Sequence, residues 1–211
     1  MRLPSIRLPV FLLLTGIGMT TLHAETLGFD SDVPGSLPLQ WDQGVTGGGT
    51  ARWSVHPDAS APSAPNVLQQ SGVAAFAWCV RRGVALQDGY VEVKFKAIAG
   101  RQDQAGGLVW RWKDGDTYYV ARANALENNV SLYYTANGRR NTLKYVDAPV
   151  AAKAWHTLRV DFSGRRISVA LDGKTYIEYE DEHIAGPGAV GMWTKADSVT
   201  AFDDFAYGAQ R

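Results

Sequence analysis

The sequence predicts an all-β protein built from two packed antiparallel sheets. Three observations carry this reading. Apolar and polar residues alternate with a period of two over several short stretches, tight-turn dipeptides separate those stretches, and no segment sustains the 3.6-residue period of an amphipathic helix. Numerous short strands without helical crossovers bury their apolar faces by closing on each other as a sandwich.

Taken in chain order, residues 1–24 read as a secretory leader. Arg2 and Arg7 give a basic start, residues 10–14 and 16–19 a short apolar stretch, and Ala24 a small residue before Glu25. Leu22, at the −3 position, is bulkier than such cut sites prefer. The apolar stretch is too short and interrupted to span a bilayer. Residues 25–211 then form one domain, a length that suits a β-sandwich with a core needing no staples. The mature chain keeps 19 basic and 21 acidic residues, so its net charge of −2 gives no electrostatic footprint for nucleic acid or membrane. The single cysteine, Cys79, lies between Trp78 and Val80 and reads as a small buried apolar residue.

Residues 33–66 contain Pro34, Pro38, Pro57, Pro62 and Pro65 and the run Gly47-Gly48-Gly49, which predicts irregular loops with one strand near residues 51–55. Clean alternation follows at residues 90–96 and 156–162. The Ser163-Gly164 turn leads to residues 166–171, and the Asp172-Gly173 turn to residues 175–179. Residues 188–193 and 200–207 are the final strands.

The stretch GGLVWRWKDGDTYYVARANALENN (residues 106–129) forms a hairpin. A type I′ corner at Asp114-Gly115 pairs Trp112 with Thr117, Arg111 with Tyr118 and Trp110 with Tyr119. One side then carries Leu108, Trp110, Trp112, Tyr119 and Ala121, an apolar set for the core. The other carries Gly107, Val109, Arg111, Tyr118, Val120, Arg122 and Asn124. Guanidinium, phenol and amide groups match vicinal sugar hydroxyls or a carboxylate; they also suit a hydrated sheet face on which Glu127 pairs an arginine. Alternation in the later strand adds Trp193 and Lys195 to the polar side, where Trp193 is a sugar-stacking edge or a side chain tucked beneath a loop.

The stretches GGLVWRW, YYVARANALENN, AWHTLRVDF, ISVALDGK and GAVGMWTKADSVTAFDDF together resemble the concanavalin A-like lectin/glucanase jelly rolls. The similarity is greatest to secreted bacterial domains related to 3-keto-disaccharide hydrolases, and it covers roughly residues 29–207. It implies a jelly-roll sandwich of two curved antiparallel sheets with a carbohydrate site on the concave one. Arg111, Tyr118, Asn124, Asn129 and Trp193 would bind the sugar. If the domain is a hydrolase, Glu127 would be the base and Arg122 or Lys195 the electrophile.

The Glu-x-Asp-x-x-Glu motif that many retaining glucanases of this superfamily carry is absent, and the acidic run of residues 178–182 reads as a solvated turn. His56, His156 and His183 show no zinc spacing, and no nucleophile-elbow, phosphate-loop or dinucleotide glycine pattern occurs. Asp30 near the mature N-terminus and Asp203 and Asp204 in the last strand could hold a structural calcium where first and last strands meet; the alternative is plain alternation of core and surface. Three functions remain in view: an exported, monomeric domain binding a glycan, a hydrolase of 3-keto-glycosides, and a cell-envelope interaction module that binds no sugar.

Overall fold

The computed structural model describes residues 24–209. The leader assigned to residues 1–24 falls, apart from Ala24, outside the described residues. Among these there is no helix, and fifteen strands run in order: β1 (Glu25–Leu27), β2 (Trp41–Thr50), β3 (Trp53–Pro57), β4 (Asn66–Gln70), β5 (Val73–Arg81), β6 (Gly89–Ala99), β7 (Ala105–Asp114), β8 (Thr117–Asn124), β9 (Asn129–Ala136), β10 (Arg139–Asp147), β11 (Trp155–Ser163), β12 (Arg166–Leu171), β13 (Lys174–Glu180), β14 (Ala189–Ala196) and β15 (Val199–Ala209).

They form two antiparallel sheets. One has the order β13-β12-β11-β6-β15-β4-β3, with β1 pairing β15, and the other the order β10-β9-β8-β7-β14-β5-β2. The alternating stretches become β6, β11 and β12, whose side chains are buried at every second position. At the corner between β12 and β13, Asp172 and Gly173 both adopt positive φ (50° and 77°), as a type I′ turn requires.

The core lies between the sheets. Phe95, Phe202 and Phe205 from one sheet meet Trp110, Tyr119, Leu132 and Met192 from the other. Trp110 and Tyr119, directly paired across β7 and β8, stack with ring centroids 5.2 Å apart. Cys79 is buried in this core, where desolvation pushes its thiol pKa well up.

The proline- and glycine-rich segment departs from expectation. It contributes a ten-residue edge strand, β2, as well as β3. The glycine run does not break β2. Gly47 and Gly49 take φ of 81° and 105° and absorb a register shift against β5, a backbone freedom that other residues lack.

Candidate functional site

Strand β8 sends Tyr119, Ala121 and Ala123 into the core and Tyr118, Val120, Arg122 and Asn124 to the outer face of the seven-stranded sheet. That phase follows the expected pairing of Trp110 with Tyr119. The corner does not. Asp114 pairs with Thr117, so three residues of β7 stand opposite Tyr118 alone, and neither Gly115 nor Asp116 has positive φ. The resulting bulge exchanges the sides of Arg111 and Trp112.

Arg111, at φ 45°, is buried away from the outer face. Its guanidinium donates to the carbonyls of Gln87 (3.3 Å), Ile184 (3.2 Å) and Gly164 (2.7 Å) and reaches Asp88 (3.3 Å). Gly188 makes room for the bulge, since a Cβ there would come within 2.4 Å of the Arg111 carbonyl carbon. Arg111, expected to bind ligand, is instead a clamp between loops. Trp112 has moved outward and packs at 5.2 Å on Trp78.

The outer face is strongly curled. Arg140 in β10 and Phe76 in β5 are five strand positions apart, which on a flat sheet would be about 24 Å. Their guanidinium carbon and ring centroid are nevertheless 4.7 Å apart. The β7–β8 tip also folds back across the face. Thr46 of β2 donates to the Gly115 carbonyl, its hydroxyl meets the Tyr118 hydroxyl at 2.6 Å, and a Cβ on Gly115 would lie 3.2 Å from Trp78. Trp78 in turn lies flat over Gly44, where a Cβ would be 2.3 Å from its ring.

This closure corrects two further expectations. Tyr118 is wholly buried, and desolvation raises its pKa above the ordinary phenol value. Trp193 is also wholly buried, under Phe76 at 5.6 Å and Arg140 at 5.8 Å, so no ring face is left for a sugar.

Beside the closed aromatic half lies a polar half centred on Asp103, which is 0% exposed. Its carboxylate accepts from Asn124 (2.7 Å) and meets Lys195 (2.8 Å) and Arg122 (3.4 Å). Arg122 reaches Glu127 at 2.5 Å and donates to the Asn129 Oδ1 at 3.1 Å. Asn129 donates to Glu127 (2.8 Å) and to the Tyr145 hydroxyl (2.6 Å), and accepts from Ser131 (2.9 Å). Partial burial pushes the Glu127 pKa up, but the Asn129 hydrogen bond and the Arg122 charge outweigh it and hold the carboxyl below its ordinary value. The Asp103 loop is itself pinned, because the Asp197 carboxylate accepts the backbone N–H groups of Arg101, Gln102 and Asp103 at 2.8 to 3.1 Å.

The fold thus brings together Arg122, Asn124, Glu127, Asn129 and Lys195 of the expected set, and excludes Arg111, Tyr118 and Trp193. Sequence reasoning missed Asp103, Arg140 and Tyr145. Asp103 sits in a loop with no periodic signal, whereas Arg140 and Tyr145 face outward opposite Thr135 and Ser131 and were within reach of an alternation argument.

Elsewhere, Asp203 accepts from the Ser63 N–H (2.8 Å) and hydroxyl (3.0 Å), Asp204 pairs with Lys94 at 2.8 Å, and Asp30 accepts from the Asn66 N–H at 3.0 Å. Among the described residues no group of three or more His, Cys, Asp or Glu is placed to hold a metal ion. In the acidic run expected to be a solvated turn, Asp181 is buried and takes hydrogen bonds from Tyr119 and His183. A pocket of about 590 Å³ opens at the β11–β13 end of the other sheet, between Asp161, Arg166, Glu178 and Glu180, away from the polar cluster. No described helix is long and apolar enough to cross a membrane.

The fold is a jelly-roll β-sandwich, like those of glucanases and lectins. Among solved structures, the chain is similar to the carbohydrate-binding module CBM66 from Bacillus subtilis, with a TM-score of 0.67, 18% identity, and coverage of 81% of this chain and 96% of that one. A β-1,3-1,4-glucanase (lichenase) derived from a mouse hindgut metagenome gives 0.60 at 16% identity, over 89% and 100% of the two chains. The exoplasmic/lumenal domain of VIP36, in a Ca2+/Man3GlcNAc-bound form, gives 0.58 at 12%, over 84% and 86%. No family model matches the chain, and no curated protein matches it in sequence.

Proposed function

We propose that the chain is an exported carbohydrate-recognising domain whose ligand rests on the polar half of the seven-stranded sheet's outer face. One observation carries the reading: a fully buried carboxylate, Asp103, organises two cations and an amide on an outer face. The reach of this cluster ends in the exposed Glu127 and Tyr145 and the partly exposed Lys195. Buried ion pairs are poor stabilisers, and perturbed charges gathered in a curved face are a common mark of function. Carboxylate, amide and guanidinium groups with fixed geometry suit the paired hydroxyls of a sugar. The carbohydrate-binding module, the lichenase and the Man3GlcNAc-bound lectin domain share the fold, which supports the same ligand class.

A glycan array followed by calorimetry tests this. Binding should fall at least ~10-fold in Glu127→Gln or Asn129→Ala, the loss of one charge-assisted hydrogen bond. A folded protein that binds no glycan, or variants that bind as well as wild type, would refute it.

A second reading, hydrolysis of 3-keto-glycosides, is favoured by the exposed Glu127 carboxylate beside Arg122 and Lys195. A ketone at C3 acidifies the neighbouring C–H, so one base and one electrophile can drive elimination. The depressed pKa makes Glu127 a weak base and an unsuitable general acid, so binding stands first. Turnover of a 3-keto-disaccharide, abolished in Glu127→Gln, would reverse that order. Neither binding nor turnover would leave the interaction module.

A further inference from the structure

Among the described residues Arg140 is a cation of the outer face that no carboxylate contacts directly, although the Asp103 and Glu127 charges act on it from a distance. Its guanidinium lies over Tyr133 (4.3 Å), Phe76 (4.7 Å) and Trp193 (5.8 Å), where the aromatic half meets the polar half. Among the described residues no acidic group pairs with it, and its buried Nη1 has no hydrogen-bond partner. The rings offer their negative faces, which compensates a cation only in part.

The remaining hydrogen-bonding capacity of the cluster leans towards donors. Asp103 Oδ2 already faces Arg122 and Lys195 while Oδ1 accepts from Asn124; Glu127 Oε2 is taken by Arg122 and Asn129; and Asn129 Oδ1 is taken by Arg122 and Ser131. Three donor groups keep capacity, namely Arg140 Nη1, the buried Nε of Arg122 and the remaining N–H bonds of the partly exposed Lys195, against the Glu127 Oε1 acceptor and the Thr135 hydroxyl. Arg122, Arg140 and Lys195 outnumber Asp103 and Glu127 by one charge. A neutral hydroxyl brings a donor for each acceptor, whereas a carboxylate brings acceptors only and fits a guanidinium bidentately.

We infer that the ligand is a saccharide carrying a carboxylate, of the uronic acid type, anchored by Arg140 beside Lys195. This rests on the sugar-binding reading and names its ligand class. Burial lowers the Arg140 pKa from the ordinary guanidinium value and the neighbouring Arg122 charge adds to this, only partly offset by Tyr133, Asp103 and Glu127.

The experiment is calorimetry with oligomers of galacturonic, glucuronic and mannuronic acid and with the same oligomers after reduction of every carboxyl to a primary alcohol. Wild type should bind at least one acidic series ~10-fold or more tightly than its reduced counterpart, with an affinity that falls as salt rises. Arg140→Gln should erase the preference, and Arg140→Lys should keep part of it; thermal melts confirm that both fold. Equal or tighter binding of the reduced oligomers overturns the carboxylate inference and leaves sugar binding standing. Binding of neither series by the folded wild type overturns the carboxylate inference, and the sugar-binding reading is then decided separately by the glycan array.

Discussion

Substituting asparagine for Asp103 keeps the size of the side chain and removes its charge. Asp103 is fully buried, and Arg122, with 2% of its side chain exposed, would lose one of its two carboxylate partners. Removing one member of a buried pair costs about 3–5 kcal/mol, because the other charge is left uncompensated. Here Arg122 keeps Glu127 at 2.5 Å and the Asn129 carbonyl at 3.1 Å, and Lys195, with a side chain 29% exposed, can turn to water. These place the cost at the low end, about 3 kcal/mol, which for a domain of this size lowers Tm by about 6–12 °C. Differential scanning calorimetry at pH 7 reads this directly. A second arm, Lys195→Met alone, should move Tm by no more than about 2–4 °C, since the partly exposed lysine contributes about 1 kcal/mol or less and Asp103 keeps Arg122 and Asn124. An Asp103→Asn protein that melts within about 2 °C of wild type would show that water already compensates Arg122, and the argument from burial would fail.

Three further outcomes follow from the geometry. Gly44→Ala puts a methyl 2.3 Å from the Trp78 ring, and should cost about 1–3 kcal/mol and change tryptophan fluorescence as Trp78 leaves Trp112. Arg111→Met strips three loop carbonyls of a donor and should lower Tm by several degrees, while glycan affinity stays unchanged because the clamp faces away from the polar cluster. Glu127 has a folded pKa below its ordinary 4.5, so its contribution to stability is fully present above that value and is lost as pH falls through the folded pKa; a carboxyl-carbon NMR titration with a midpoint above 4.5 would contradict the network.

The sequence disclosed the phase of the hairpin but not its corner. The pairing of Trp110 with Tyr119, and with it the outward placement of Val120 and Arg122, was read from the Asp114-Gly115 corner, and the structure keeps that pairing although the corner itself differs. The Asp114-Gly115 dipeptide promised a type I′ turn, yet the bulge at residues 111–113 answers to groups remote in the chain: the carbonyls of Gln87, Gly164 and Ile184 and the bare backbone of Gly188. No local propensity encodes those partners. The roofing of Trp193 was hidden for the same reason, since it depends on Arg140, four strand positions away, reaching over a curled sheet. Asp103 was invisible because its burial is imposed by Asp197, some ninety residues away, through three backbone N–H groups.

The cost of losing Asp103 alone does not show why the cluster exists, because a pair can be expensive to break and still be worth nothing as a whole. Replacing Asp103 by Leu, Arg122 by Met and Lys195 by Met together separates the two questions. It removes every charge that meets at the buried carboxylate and fills the space with side chains of similar volume, leaving Glu127 to be solvated at the surface, where its side chain is already 38% exposed. If the cluster serves a ligand, the triple variant should melt within a few degrees of wild type or above it, by up to about 1–4 kcal/mol of added stability, while glycan affinity disappears. If it serves the fold, the triple variant should melt at least as low as Asp103→Asn, because the hydrogen bonds to Asn124 and Asn129 would then have been part of the sheet's own support.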